Sequence, residues 1–146
     1  MRSSIKPDKR ENTHYYSVSA EDIDTYKRGG AVMLKQVLNH KWLQIISDGM
    51  HLNKKQPTSK GIYYTHDEQT GQSFFHDALT IPHNPFYEKY ITESPIGSIA
   101  AQIMCLPSAL AFYTTVFFRT GGTKERTPWH QDQTYWSADS KHGLSI

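Results

Sequence analysis

The stretch from Gly61 to Leu79, GIYYTHDEQTGQSFFHDAL, sets two runs of β-favouring aromatic and apolar residues on either side of the polar segment EQTGQ. That pattern predicts a β-hairpin. A lone hairpin is marginal in water, so other segments have to cover it. The candidate for a further strand is ALAFYTTVFFR, Ala109 to Arg119, which is aromatic, β-branched and long enough to be buried. Phe112, Tyr113, Phe117 and Phe118 are then expected in the sheet interior. His66-Asp67-Glu68 and His76-Asp77 fall beside the hairpin turn, where polar residues are ordinary, and are expected at its surface.

Helix signals flank these strands. SAEDIDTYKRGG, from Ser19, has an N-cap serine, acidic residues in its first turn, Lys27 and Arg28 in its last, and Gly29 and Gly30 as a stop. A short apolar strand, AVML, is expected next. Asn39 is a second N-cap, and Trp42, Leu43, Ile46 and Met50 fall on one face of the helix that follows. Asn84-Pro85 and Ser94-Pro95 each pair a capping residue with proline at a first helical position, predicting two short helices. The closing GLSI resembles the start of another strand, and a chain ending there leads to the expectation of a fragment of a larger domain. The class expected is α+β.

A length of 146 residues suits one domain, and 37% hydrophobic with 12% aromatic residues suits a packed core. The 16 basic and 14 acidic residues are scattered and leave a net charge of +2, so no stripe marks a nucleic-acid partner. The basic start MRSSIKPDKR lacks the apolar core of a secretory signal and reads as a solvated tail. No apolar run is long enough to span a bilayer, and cytoplasm is the expected compartment. Cys105, the single cysteine, follows an apolar helix and is expected to be a buried, inert thiol.

The segment RTPWHQDQTYW, Arg126 to Trp136, carries the chemistry. On a strand, side chains at i and i+2 share a face with Cα atoms ~6.6 Å apart, so His130 and Asp132 can converge on one point. An imidazole and a carboxylate so placed supply two ligands of the 2-His-1-carboxylate facial triad of non-haem Fe(II) oxygenases. Trp129, Tyr135 and Trp136 would shield such a site from water. A hydrogen-bonded His–Asp pair without any metal satisfies the same spacing.

The segments SPIGSIAAQIMC and FFRTGGTKERTPWHQDQTYW resemble the phytanoyl-CoA dioxygenase family of Fe(II)- and 2-oxoglutarate-dependent oxygenases, and YKRGGAVMLKQVLNHKWLQIISDGM is similar to that family's opening. The resemblance implies a double-stranded β-helix, a cupin-like jelly roll with flanking N-terminal helices, of which residues 19–146 would be the N-terminal part after a flexible tail at 1–18. It makes His130 and Asp132 iron ligands, sets Arg119 where the family often has a lysine facing the cosubstrate, and puts Trp129, Gln133, Tyr135 and Trp136 near the pocket. The family's distal histidine and its 2-oxoglutarate-binding arginine belong to later strands; His142 matches neither and is expected at the surface.

By resemblance the function is hydroxylation of a small organic substrate with Fe(II), 2-oxoglutarate as cosubstrate and ascorbate as a possible reductant, the 146-residue chain alone being inactive or a weak metal binder. Two other readings remain open: a non-catalytic binding or interaction module on the same scaffold, and a cupin-like site for another metal or reaction. Neither substrate nor oligomeric state is legible.

Overall fold

The computed structural model describes residues 16–78, 80–137 and 142–146. It contains four α-helices and a three-stranded antiparallel sheet, a mixed α/β arrangement. The helices are α1 (Ala20–Gly29), α2 (His40–Lys55), α3 (Pro85–Glu93) and α4 (Ile96–Met104), and the strands are β1 (Ile62–His66), β2 (Ser73–Ala78) and β3 (Thr115–Arg119).

The helix starts follow from local chemistry. Ser19, Asn39 and Asn84 each turn a side-chain oxygen onto an orphan backbone N–H, at Asp22, Trp42 and Phe86 respectively. Gly30 closes α1 in the left-handed conformation that glycine adopts without strain. The start of α4 differs slightly: Ser94 Oγ accepts from Ile96 N at 3.4 Å, and the helix begins after Pro95.

The hairpin forms as expected, with β2 between β1 and β3. Its turn is held by Asp67, whose carboxylate accepts from Gln69 N and Thr70 N while its backbone pairs with Gly71 and Gln72. A bulge in β1 lies between Tyr63 and Thr65, so Tyr64 is an extra residue opposite β2.

Val18, Ile99 and Ile103 form an apolar centre, with Tyr26, Val32 and Leu34 packed around it between α1 and α4. Trp42, Phe75 and Tyr87 are buried outside it, with the Trp42 ring edge-on to Tyr90 of α3 at 6.3 Å. α2 and α3 approach closely because Gly49 has no side chain: a Cβ there would stand 2.6 Å from the Tyr87 ring.

Several expectations are corrected. AVML forms no strand; Val32 and Leu34 instead give their apolar surface to the α1–α4 core. Only Thr115–Arg119 of the long aromatic run is a strand, and it lies at the sheet edge with one face uncovered. Phe112, Tyr113 and Phe117 are therefore exposed and Phe118 half-buried, rather than all lying in the core. Leu43 is exposed, since the buried stripe of α2 runs through Trp42, Gly49 and Asn53. Residues 143–146 are irregular, with Leu144 resting on the helical core. Cys105 is exposed in a left-handed turn just beyond α4, not buried.

Of the tail, residues 1–15 lie outside the described residues. Tyr16 and Val18 are tied to α4, where Gln102 accepts from Val18 N at 2.9 Å and donates to the Tyr16 carbonyl at 3.1 Å.

The largest departure is Asp77. Expected at the surface, its side chain is fully buried at the sheet–α2 junction. Asn53 Nδ2 and Thr58 N donate to one carboxylate oxygen at 2.7 and 2.8 Å, and Thr58 Oγ1 and Ala78 N to the other at 2.5 and 2.9 Å. Burial alone would raise its pKa; the Thr58, Asn53 and Ala78 donors outweigh that and hold the carboxyl below its ordinary range.

Candidate functional site: the His130–Asp132 pair

His130 and Asp132 do meet, though not across a strand. Residues 128–131 are irregular and Asp132–Tyr135 form one turn of 3-10 helix. A strand would need a ladder partner for this segment; instead the backbone closes locally, with Thr134 N donating to Gln131 O and Trp136 N to Gln133 O. The turn brings His130 Nε2 within 3.1 Å of Asp132 Oδ1.

The other ring nitrogen fixes what that distance means. His130 Nδ1 lies 2.8 Å from the Pro128 carbonyl oxygen. A carbonyl only accepts, so Nδ1 carries a proton and donates it. In a neutral imidazole Nε2 is then a bare lone pair facing a carboxylate lone pair. Such a contact is favourable only with a positive charge between or on the pair: either a second ring proton or a bound cation. Cis ligands of a six-coordinate ion with bonds of ~2.1 Å stand about 3.0 Å apart, close to the separation seen. A ligating histidine commonly also gives its other N–H to a backbone carbonyl. Two donors at this separation suit adjacent positions on a divalent ion, and equally an imidazolium–carboxylate ion pair.

The surroundings are open. The His130 and Asp132 side chains are 39% and 50% exposed. Among the four residues expected to line a pocket, Tyr135 sets its ring edge-on to His130 at 6.0 Å. Trp129 is fully exposed, Trp136 packs against Phe112 at 6.2 Å, and Gln133 contributes its carbonyl to the 3-10 turn. Among the described residues no three His, Cys, Asp or Glu side chains gather as a metal site.

Arg119 is engaged elsewhere. Its Nε donates to Thr123 Oγ1 at 2.5 Å and its Nη2 to the Thr123 carbonyl at 2.9 Å and to the Glu125 carbonyl, while the guanidinium lies 5.0 Å from the Phe74 ring centre. The sequence alone held no sign of this clamp, because its acceptors include two main-chain carbonyls.

The uncovered sheet face carries a second feature. His76 and Phe117 are register partners with rings 4.8 Å apart, and Tyr64 lies 5.0 Å from Phe74 and 6.3 Å from His76. His66 is exposed and 3.8 Å from Glu68.

Comparison with protein-family models, curated proteins and solved structures finds no match to this chain. No helix among the described residues is long and apolar enough to cross a membrane.

Proposed function

We propose that His130 and Asp132 are two protein ligands of a non-haem Fe(II) centre, in a 2-oxoglutarate-dependent dioxygenase that hydroxylates a small organic substrate. The observation that carries this reading is geometric: His130 Nδ1 lies 2.8 Å from the Pro128 carbonyl oxygen, which leaves Nε2 turned toward Asp132 Oδ1 at 3.1 Å. Iron bound there would supply oxygen activation coupled to oxidative decarboxylation of 2-oxoglutarate.

The chain's own residues have narrower tasks. His130 and Asp132 would present a nitrogen and an oxygen at the spacing of adjacent coordination positions. The Pro128 carbonyl engages the other ring nitrogen, and the Tyr135 ring stands edge-on to the imidazole. The reading calls for a third ligand and a cosubstrate-binding cation beyond this pair, and for a jelly roll in which the three-stranded sheet is part of one wall. Residues that the resemblance places downstream of the motif would complete both.

A binding module remains the second reading, favoured by the aromatic surface of Phe112, Tyr113 and Phe117, of which Phe117 is 59% exposed. Turnover of 2-oxoglutarate to succinate with Fe(II) and ascorbate separates the two. It is measured on this chain against Asp132→Ala, together with Fe(II) affinity. Turnover abolished by the substitution supports the oxygenase. Its absence, together with no Fe(II) binding at the pair, leaves the binding module.

A further inference from the structure

We infer that Arg119 is a positioning residue for the His130–Asp132 pair: it locks the loop after β3 so that the pair forms. The inference rests on the metal-ligand reading for its purpose, and on the loop's hydrogen bonds for its mechanism.

The loop is anchored at its base by β2. Thr120 N donates to the Ser73 carbonyl at 2.9 Å, and Ser73 N donates to Thr120 Oγ1 at 2.7 Å. Arg119, the last residue of β3, then reaches forward to Thr123 Oγ1 and to the carbonyls of Thr123 and Glu125. The planar guanidinium can satisfy several acceptors at fixed angles, which a lysine ammonium cannot reproduce. Phe74 beneath the guanidinium limits its swing.

The clamp lies close to the site in sequence. Only Arg126 and Thr127 separate the clamped Glu125 from Pro128, whose carbonyl oxygen lies 2.8 Å from His130 Nδ1. Thr127 precedes proline, which disfavours helical backbone there, and Pro128 has its own φ fixed by its ring. The segment from the Glu125 carbonyl to the Pro128 carbonyl thus starts from an anchored point with part of its conformational range removed, and holding Glu125 narrows where the His130 acceptor can lie. With the guanidinium so occupied, Arg119 acts through the loop and not by meeting a cosubstrate.

The test compares the full chain with Arg119→Met, Arg119→Lys and Thr123→Ala. Two readouts are taken: the nitrogen chemical shifts of the His130 ring, which report its tautomer, and Co(II) affinity as a spectroscopic substitute for Fe(II). Wild type is expected to show one tautomer with the proton on Nδ1. Arg119→Met is expected to average the two tautomers and weaken Co(II) at least tenfold, with Arg119→Lys recovering part of both. Thr123→Ala is expected to move both readouts in the same direction by less, and it decides the matter if Arg119→Met does not fold. An unchanged His130 tautomer in a folded Arg119→Met, or in Thr123→Ala where that variant decides, overturns the inference. Absence of Co(II) binding in wild type overturns the metal reading instead, and the tautomer comparison still decides the role of Arg119.

Discussion

Asn53 Nδ2 donates to Asp77 Oδ2 at 2.7 Å, joining the last turn of α2 to the middle strand of the sheet. Asp77 is fully buried, and truncating it would leave the Asn53 and Thr58 donors facing an apolar gap. Asp77→Ala is expected to cost about 3 kcal/mol or more of stability, read from the denaturant midpoint. A loss below about 1 kcal/mol would mean that the cluster is not the tie it resembles.

The same carboxyl sets the acid limit. Its pKa in the folded state is depressed, with desolvation outweighed by hydrogen bonds from Thr58, Asn53 and Ala78. A group of this kind contributes stability that is fully present above its unfolded pKa of about 3.9 and is lost as pH falls through the lower folded value. Asp77→Asn should therefore unfold along a flatter acid limb, in circular dichroism against pH.

Tyr87 sets an alkaline limit of opposite sign. Its phenol is pushed up to about 12, first by burial and then by repulsion from the Asp77 charge. The folded state thus holds a proton that the unfolded chain releases near pH 10, so stability declines from about pH 10 upward until the folded phenol ionises. Tyr87→Phe should remove that slope between pH 10 and the native phenol's ionisation near 12, measured by fluorescence.

Gly49→Ala raises intrinsic helix propensity by about 1 kcal/mol, yet its Cβ would lie 2.6 and 2.9 Å from Tyr87 ring carbons and 3.2 Å from Phe86 Cβ. Overpacking of this kind costs ~1–3 kcal/mol, and the ring, packed in the core, cannot swing away freely. Net destabilisation is expected in thermal unfolding; a stabilised variant would show that α3 shifts without cost.

Cys105 provides a check on the turn beyond α4. It is exposed, so an aromatic disulfide reagent should titrate one thiol per chain without denaturant. Reaction seen only after unfolding would contradict the left-handed turn that sets the side chain in solvent.

How far the sequence told this in advance depends on the range of each interaction. The caps at Ser19, Asn39 and Asn84 act over two or three residues, and all three were legible. The hairpin was legible too, because its turn residues lie between its strands. Asp77 was misplaced because Thr58 and Asn53 lie 19 and 24 residues away, and no local pattern announces them. The alternation of large apolar residues in the aromatic run predicts a central, covered strand, whereas Thr115–Arg119 is an edge strand whose Phe117 face is left in solvent. The proximity of His130 and Asp132 was foreseen for a geometric reason that does not apply: a 3-10 turn, not a strand pleat, brings them together.

The ties at Asp77 and at Gln102 close loops of very different length. Asn53 and Thr58 reach Asp77 over 24 and 19 residues, whereas Val18 reaches Gln102 over 84. Loop-closure entropy grows as the logarithm of length, so the second closure costs about 1 kcal/mol more than the first. Contacts of short range generally form first. The pairing of α2 with the hairpin is thus expected to precede docking of the first helix, which φ-values higher at Asp77 than at Val18 would check.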